Sequence, residues 1–285
     1  MFSYAITGAS KGLGREFVRQ LAADTTNMVL AIVRDPESPG IFEIASSHSN
    51  VHVIKGDVTD PKSILEAASA AAVVTGGKLD VLIHNSNAVD MASMSFNPTQ
   101  IPFDAQAIRK IFDLPLSTGV YGGIWTTNAF LPLIEKGIQK KIVHISSGMA
   151  DLDFINKSGV SNAVAYSIAK AGVNVQVAKY AAELAPKGIK VLALSPGWVE
   201  TWEGRLTFIL KAVMVETDII IGEKPSQLIK ANDALLKLFQ VAEPELKGQI
   251  QPQESVRKCL QVIERLDAET SGLFLSHNGD NTRWF

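Results

Sequence analysis

Seven short apolar runs, each set off by turn residues and followed by a helix-like segment, constrain this chain more than any other feature. They are YAIT (4–7), MVLAIV (28–33), VHVI (51–54), LDVLIH (79–84), KIVHIS (141–146), IKVLALS (189–195) and GLFL (272–275). Continuous apolar runs of this length suit strands covered on both faces, as in a parallel sheet. Alternation with helices gives repeated βαβ units with right-handed crossovers. The expected fold is α/β: a doubly wound parallel sheet of about seven strands with helices on both faces. The last strand follows a helix expected near 254–266. No internal repeat or low-complexity linker interrupts the series, so residues 1–285 read as one domain.

Two regions break the rhythm. MASMSFNPTQI (91–101) reads as a loop. Residues 202–251 are inserted between the sixth strand and the last helix. Loops that long without structure are uncommon in compact domains. The stretches RLTFILKAVMV and NDALLKLFQVA have helical length and pattern, so a small helical cap is expected. Its apolar side chains, Leu206, Phe208, Ile209, Leu210 and Val213, suit either a lid over a bulky, weakly polar substrate or the packing of an extra helix or a subunit contact.

Composition narrows the function classes. A formal net charge of −2 gives no electrostatic reason to expect nucleic acid or an anionic membrane as partner. The five His are scattered and Cys259 is the single cysteine, which excludes an internal disulfide framework and a Cys-rich zinc site. No metal is expected. The stretch FILKAVMVETDIIIG is broken by Lys211, Glu216 and Asp218, too interrupted to span a bilayer. The N-terminus MFSYAITGAS lacks the parts of a secretory signal, and a cytoplasmic protein is expected.

Directly after the first run comes TGASKGLG, which places Gly8, Gly12 and Gly14 in a G-x-x-x-G-x-G pattern ahead of the helix-like REFVRQLAA. Glycines there let the backbone turn tightly and approach a pyrophosphate. The helix N-terminus adds N–H donors and a positive dipole. A dinucleotide site is expected. Arg34 lies twenty residues past Gly14, next to Asp35, and Lys11 sits inside the loop. Two cations favour the 2′-phosphate of NADP(H), whereas Asp35 alone would favour the ribose of NAD.

In VAYSIAKAG (164–172), Tyr166 and Lys170 stand four apart and share one helix face. Small apolar neighbours from Ala163 to Ala185 suggest a helix covered on most sides, where a lysine is costly without a purpose. An adjacent ammonium would draw the Tyr166 pKa down from about 10 and let the phenol exchange a proton near neutral pH. Upstream, HISSGMA offers Ser147 or Ser146 at the end of the fifth run, where ligands bind in open α/β sheets.

In this order, glycine loop, serine and Tyr-x-x-x-Lys, the chain resembles the short-chain dehydrogenase/reductase family, whose fold is Rossmann-type. GDVTD (56–60) looks like the family's adenine-side motif, LDVLIHNSN stands where its Asn-Asn-Ala-Gly run falls, LSPGWVET (194–201) matches its Pro-Gly segment, and SGLFLSHNG its last strand. TTNAFLPLIEKG looks most like fungal and bacterial members related to C-factor signalling proteins. The resemblance implies that Ser147 orients a substrate oxygen, that Tyr166 is the general acid or base, and that Lys170 holds the nicotinamide ribose. It implies an NADP(H) cradle of Thr7, Gly8, Ser10, Lys11, Gly12, Leu13, Gly14, Arg34, Asp57, Val58, Asn85, Tyr166, Lys170, Pro196, Gly197, Val199 and Thr201. It also implies a homodimer or homotetramer formed through the tyrosine helix and its neighbour.

The pattern departs from the family at three places. His84-Asn85-Ser86-Asn87 replaces the Asn-Asn-Ala-Gly run, with His84 read as a core histidine. The position of the family's active-site asparagine falls on Gly119, after FDLPLSTG, where Pro115 breaks a regular helix. Either Asn128 or another group then takes its place, or the proton relay is altered. The insertion at 202–251 replaces the usual substrate loop. The leading reading is an NADP(H)-dependent oxidoreductase acting on a bulky apolar, polyketide-like or aromatic, ketone or the matching alcohol, as in secondary metabolism. The alternatives are a non-redox cyclisation, isomerisation or dehydration on the same scaffold, and a non-catalytic NADP-binding sensor.

Overall fold

The seven runs become seven strands in a computed structural model, which describes residues 2–201 and 226–285, with side chains in the last stretch from residue 230. They are β1 (Ser3–Thr7), β2 (Met28–Val33), β3 (Val51–Lys55), β4 (Val81–His84), β5 (Lys141–Ile145), β6 (Lys190–Ser195) and β7 (Phe274–Ser276). All pair in parallel, in the order β3-β2-β1-β4-β5-β6-β7. The order reverses between β1 and β4, so the crevice of the sheet opens at the C-terminal ends of those strands.

Strand alternation divides the core into two layers. On one face, Ile6, Val29, Val143 and Leu192 pack with Phe17 and Leu21 of α1 (Gly12–Ala22), Ile41 of α2 (Pro39–Ser47), and Val256, Cys259 and Ile263. The last three belong to a helix at Pro252–Arg265. On the other face, Ala5, Leu30, Leu82 and Ile142 meet three helices: Ile64 and Ala71 of α3 (Pro61–Thr75), Phe130 and Ile134 of a helix at Gly122–Ile134, and Val177 and Leu184 of a helix at Val164–Leu184. Each fully covered Leu, Ile or Phe contributes roughly 1.5–3 kcal/mol of transfer free energy.

The remaining helices are α4 (Ala105–Pro115), α5 (Gly122–Ile134), α6 (Leu152–Ser158), α7 (Val164–Leu184), α8 (Ser226–Ala242) and α9 (Pro252–Arg265). NDALLKLFQVA lies in α8, as expected, whereas RLTFILKAVMV and the apolar residues Leu206 to Val213 fall outside the described residues. The 91–101 stretch is two short 3-10 turns, Met91–Ser95 and Pro98–Gln100. Among the described residues no helix is long and apolar enough to cross a membrane.

Pro115 does end the regular α-helix, but the chain does not leave its helical path. A π-helical segment, Leu116–Tyr121, joins α4 to α5. The wider turn absorbs the proline, whose ring cannot donate to the ladder. Side chains take up the backbone groups this releases. Ser117 and Thr118 hydroxyls donate to the Leu114 carbonyl (3.1 and 2.8 Å). From α7, the Gln176 amide, assigned the orientation that pairs both its ends, donates to the Val120 carbonyl (3.2 Å) and accepts from the Ile124 N–H (3.1 Å).

Asp80 ties the N-terminal edge of the sheet together. Its carboxylate accepts from the Ser3 N–H (2.9 Å) and hydroxyl (3.0 Å), and from the N–H groups of Ile138 (2.8 Å) and Gln139 (3.2 Å). Burial pushes this carboxyl up, yet the backbone donors of Ser3, Ile138 and Gln139 outweigh it and hold the pKa below the ordinary value. The folded pKa lies below the unfolded one, so the stabilisation is complete above about pH 4 and fades as the pH falls through the folded value. Asp80→Asn turns one acceptor into a donor facing donors. We expect a loss of about 2 kcal/mol at pH 7 in urea unfolding, with the gap to wild type closing as the medium is acidified below pH 4.

Candidate active site

Three elements meet at the C-terminal ends of β1, β4 and β5. The first is the glycine loop. Gly8 and Gly12 adopt φ of +66° and +54°, a region open to glycine at no steric penalty. A Cβ on Gly14 would fall inside contact distance of the Gly8 carbonyl oxygen, so α1 can lie this close to the loop only with glycine there. Among the described residues the nearest atom to a Cβ added at Gly12 is Thr201 Cγ2, 3.9 Å away, so the loop faces the Pro196–Thr201 segment. Lys11 at the helix N-cap supplies no side-chain cap. A glycine-lined helix start of this kind fits a pyrophosphate.

Asn85 holds that loop from behind, its amide donating to the carbonyls of Thr7 (3.1 Å) and Gly8 (3.3 Å). Thr7 is buried; its hydroxyl accepts from the Asn85 and Ser86 N–H groups (3.1 and 3.2 Å). Ser10 and Leu13 are half-buried on the loop, and Lys11 and Arg34 are exposed. Asp35 accepts from the Glu37 N–H (3.1 Å), which engages its carboxylate locally. A further cation, Arg15, comes to the same corner: a Cβ on Gly40 would be 2.6 Å from its guanidinium. Arg15 was not anticipated from sequence, although it is the residue after the last glycine. Asp57 accepts from Thr59 N–H and hydroxyl (2.9 and 2.8 Å), while the Val58 side chain is buried. Asn87 needs no left-handed backbone, since Lys140 and Ala163 are the non-glycine residues with positive φ among those described.

The second element is the turn after β5. Ser147 caps the 3-10 turn Gly148–Ala150, its hydroxyl accepting from the Met149 N–H (3.2 Å), and it lies near enough to the Tyr166 phenol to draw the phenol's pKa down. Ser146 turns the other way, donating to Asn174 Oδ1 (2.6 Å) on α7. Of the two serines, the geometry brings Ser147 to the tyrosine.

The third is α7. Ala163, at φ +56°, forces the helix entry, and its N–H donates to the Met94 carbonyl (3.1 Å). Tyr166 is half-buried and Lys170 is 3% exposed, with Nζ 5.8 Å from the phenol ring centre. The Lys170 ammonium donates to the Ile145 carbonyl (2.7 Å). Burial lowers its pKa to about 8. Burial also raises the Tyr166 pKa, offset in part by the Ser147 hydroxyl. This corrects the expectation of a phenol acidified by its ammonium neighbour. The amine is aimed at a carbonyl and is itself inclined to lose its proton, so desolvation of the phenol prevails.

Behind the lysine lies a histidine pair. His84 and His144 stand opposite each other on β4 and β5, rings 5.3 Å apart. His84 Nε2–H donates to the Thr118 carbonyl (3.1 Å) and Nδ1 accepts from the Thr7 hydroxyl (3.3 Å), with the tautomer set by those partners. His84 is the core histidine expected from sequence. His144 meets the Thr127 hydroxyl (3.1 Å) and keeps an unpartnered Nδ1. Burial drives the His84 pKa to about 4 and that of His144 well below the ordinary value, and the Lys170 charge pushes both the same way. Both rings are therefore neutral at pH 7. Equivalent positions at the ends of two neighbouring runs were the signal for this pair.

On the opposite side, Gly197 (φ +90°) turns the chain after β6, the Ser255 hydroxyl donates to the Pro196 carbonyl (2.6 Å), and Val199 bridges in parallel to Ile250. A Cβ on Gly197 would be 3.0 Å from the buried His277 ring. Asn128 does not reach the lysine: it is exposed and accepts from the Tyr180 hydroxyl (2.7 Å).

Residues 4–205 match the family model described as short chain dehydrogenase. A short-chain dehydrogenase/reductase of Arthrinium sp, atnB, is 41% identical over 281 residues, covering 98% of each chain. A second, AacuF of Aspergillus aculeatus, is 37% identical over the whole of both chains. Among solved structures, the NADPH-bound carbonyl reductase from chicken fatty liver superposes with a TM-score of 0.73 at 25% identity, covering 99% of this chain and 98% of its own.

A lysine whose folded pKa lies below its unfolded value of 10.5 destabilises the fold at low pH, and stability is recovered as the pH rises from about 8 through 10.5. Lys170→Met removes the buried charge. The variant should melt higher than wild type at pH 7, and the difference should shrink steadily between pH 8 and 10.5 in a thermal series.

Proposed function

Because this chain belongs to the short-chain dehydrogenase/reductase family, we propose that it is an NADP(H)-dependent reductase in which Tyr166 gives a proton to the oxygen of a bulky apolar ketone, or takes it back from the alcohol. One observation carries the reading: a buried amine 5.8 Å from the phenol ring, with the Ser147 hydroxyl beside the same phenol, at the C-terminal end of the sheet.

The nicotinamide, when bound, supplies or accepts the hydride. Ser10, Gly12, Leu13 and Gly14 would hold the pyrophosphate at the start of α1. Asp57, Val58 and Asn85 would serve the adenosine side, and Pro196, Gly197, Val199 and Thr201 the nicotinamide side. Lys11, Arg15 and Arg34 would face a 2′-phosphate, and the local engagement of Asp35 supports NADP(H) over NAD(H). The NADPH in the chicken carbonyl reductase supports the same choice.

The protein's own part is proton handling. A phenol held neutral by burial is a proton donor across the neutral range, which suits the reduction direction. Ser147 fixes where the substrate oxygen sits. Lys170, with a pKa of about 8, gives and regains a proton readily, and two neutral histidines behind it add no competing charge. Exposed apolar side chains on α4 and α7, including Ile108, Ile168 and Val175, suit a subunit contact through those helices.

The test follows NADPH absorbance against a ketone panel. Wild type should oxidise NADPH in step with ketone loss, and Tyr166→Phe should lower kcat by about 10³-fold with NADPH affinity unchanged. Product without NADPH oxidation would mean a non-redox reaction, and full activity in the variant would remove Tyr166 from its role. Arg34→Ala should raise the KM for NADPH about tenfold and leave that for NADH as it was.

A further inference from the structure

Residues 284–285 lie on the backbone that follows Ser147. An added Cβ on Gly148 would overlap Trp284 Cβ and stand 2.9 Å from Phe285 Cζ. Gly148 therefore lacks a side chain because two aromatic residues from the far end of the chain occupy its space. Trp284 is sealed in, stacked on Phe274 with ring centres 4.1 Å apart. Phe285 stacks on Phe239 of α8 at 4.6 Å and 10°. Glu243, just past α8, accepts from both backbone N–H groups, Trp284 at 2.6 Å and Phe285 at 3.2 Å. A half-buried carboxylate is a costly way to fix two peptide groups unless their position matters.

Exposure separates core from wall. Trp284 and Phe239 are 2% and 3% exposed. Phe285 and Trp198, which meets Phe239 edge-on at 5.2 Å, remain half-buried, and the half-buried Tyr166 ring packs against the same cluster. Phe285 meets Gly148, the residue after Ser147, and Tyr166 packs on the same cluster, so these aromatic residues adjoin both members of the pair that would hold the substrate oxygen. Ring faces and edges favour another flat ring.

We propose that Phe285, locked in place by Glu243 and Trp284, is a specificity-determining residue that selects ketones bearing a flat aromatic group at the carbonyl. The assignment rests on the carbonyl-reductase reading above and deepens it.

The experiment compares 2-acetylnaphthalene with butan-2-one, using full-length wild type, Phe285→Ala and Phe285→Leu with NADPH. The leucine variant keeps apolar bulk and removes only the flat face. Both variants should raise the KM for 2-acetylnaphthalene about tenfold, keep kcat/KM for butan-2-one within about twofold, and bind NADPH as wild type does. Phe285→Tyr should restore the preference. An unchanged ratio between the two ketones, or an equal loss on both, would overturn the proposal. Should wild type oxidise no NADPH with any ketone, the reductase reading fails by itself. Calorimetry of 2-acetylnaphthalene binding then decides: tighter binding to wild type than to Phe285→Leu supports the aromatic wall, and equal or absent binding rejects it.

Discussion

The Lys170 amine, sealed inside the protein, sets the terms for the rest of the site. Lys170 has the Ile145 carbonyl as hydrogen-bond partner, and burial alone accounts for the fall of its pKa to about 8. A carboxylate at that distance would have kept the ammonium charged and made it a structural ion pair. A carbonyl compensates the charged form only in part, so the amine stands near the balance between its two forms at physiological pH. The surroundings keep that balance. His84 and His144 are neutral, and Ser146, which approaches α7, gives its hydrogen bond to Asn174. Burial holds the phenol beside the lysine in its protonated form.

The scaffold that holds this arrangement was largely legible from the runs of apolar residues. All seven strands fall where the runs predict, because a strand covered on both faces must be apolar along its whole length. The glycine loop was legible for a similar reason: Gly14 has no room for a side chain, and the residue type records that. The grouping of Ser147, Tyr166 and Lys170 was legible because helical spacing and strand ends are local properties. What escaped was everything set by contacts distant in sequence. Nothing near Lys170 in the chain tells that its amine will meet the Ile145 carbonyl, so the Tyr166 pKa was expected to fall when burial raises it. Arg15 at the Gly40 corner, and residues 284–285 against Gly148, are products of tertiary packing in the same sense.

The π-helical segment shows how a local rule can be right and its extension wrong. Pro115 does prevent a regular helix, as its chemistry requires. The chain answers with a wider turn whose unpaired groups are met by Ser117, Thr118 and Gln176. That turn aims the Thr118 carbonyl at His84 and the Thr118 hydroxyl at the Ala88 N–H (3.0 Å). The irregular helix thus fixes the end of β4, and through Thr7 the glycine loop, to one frame. Irregular helical turns of this sort recur where a site needs an extra contact that a straight helix cannot deliver.

Gly119 sits within that same turn, and its surroundings bear on why a side chain is missing there. Among the described residues a Cβ at this position would meet Val173 Cγ2, at 3.7 Å, which is ordinary contact. Its backbone is not in the left-handed region either, so neither crowding nor torsion demands glycine. The neighbouring Thr118 carbonyl accepts from the neutral His84 imidazole. Through His84, the Thr118 carbonyl is joined to Thr7 by hydrogen bonds of 3.1 and 3.3 Å, a connection built from strand ends and not from a helix side chain. The Thr118–His84–Thr7 chain makes no use of a side chain at 119, so the bonds that tie the π-helical turn to the glycine loop stand with glycine at that position.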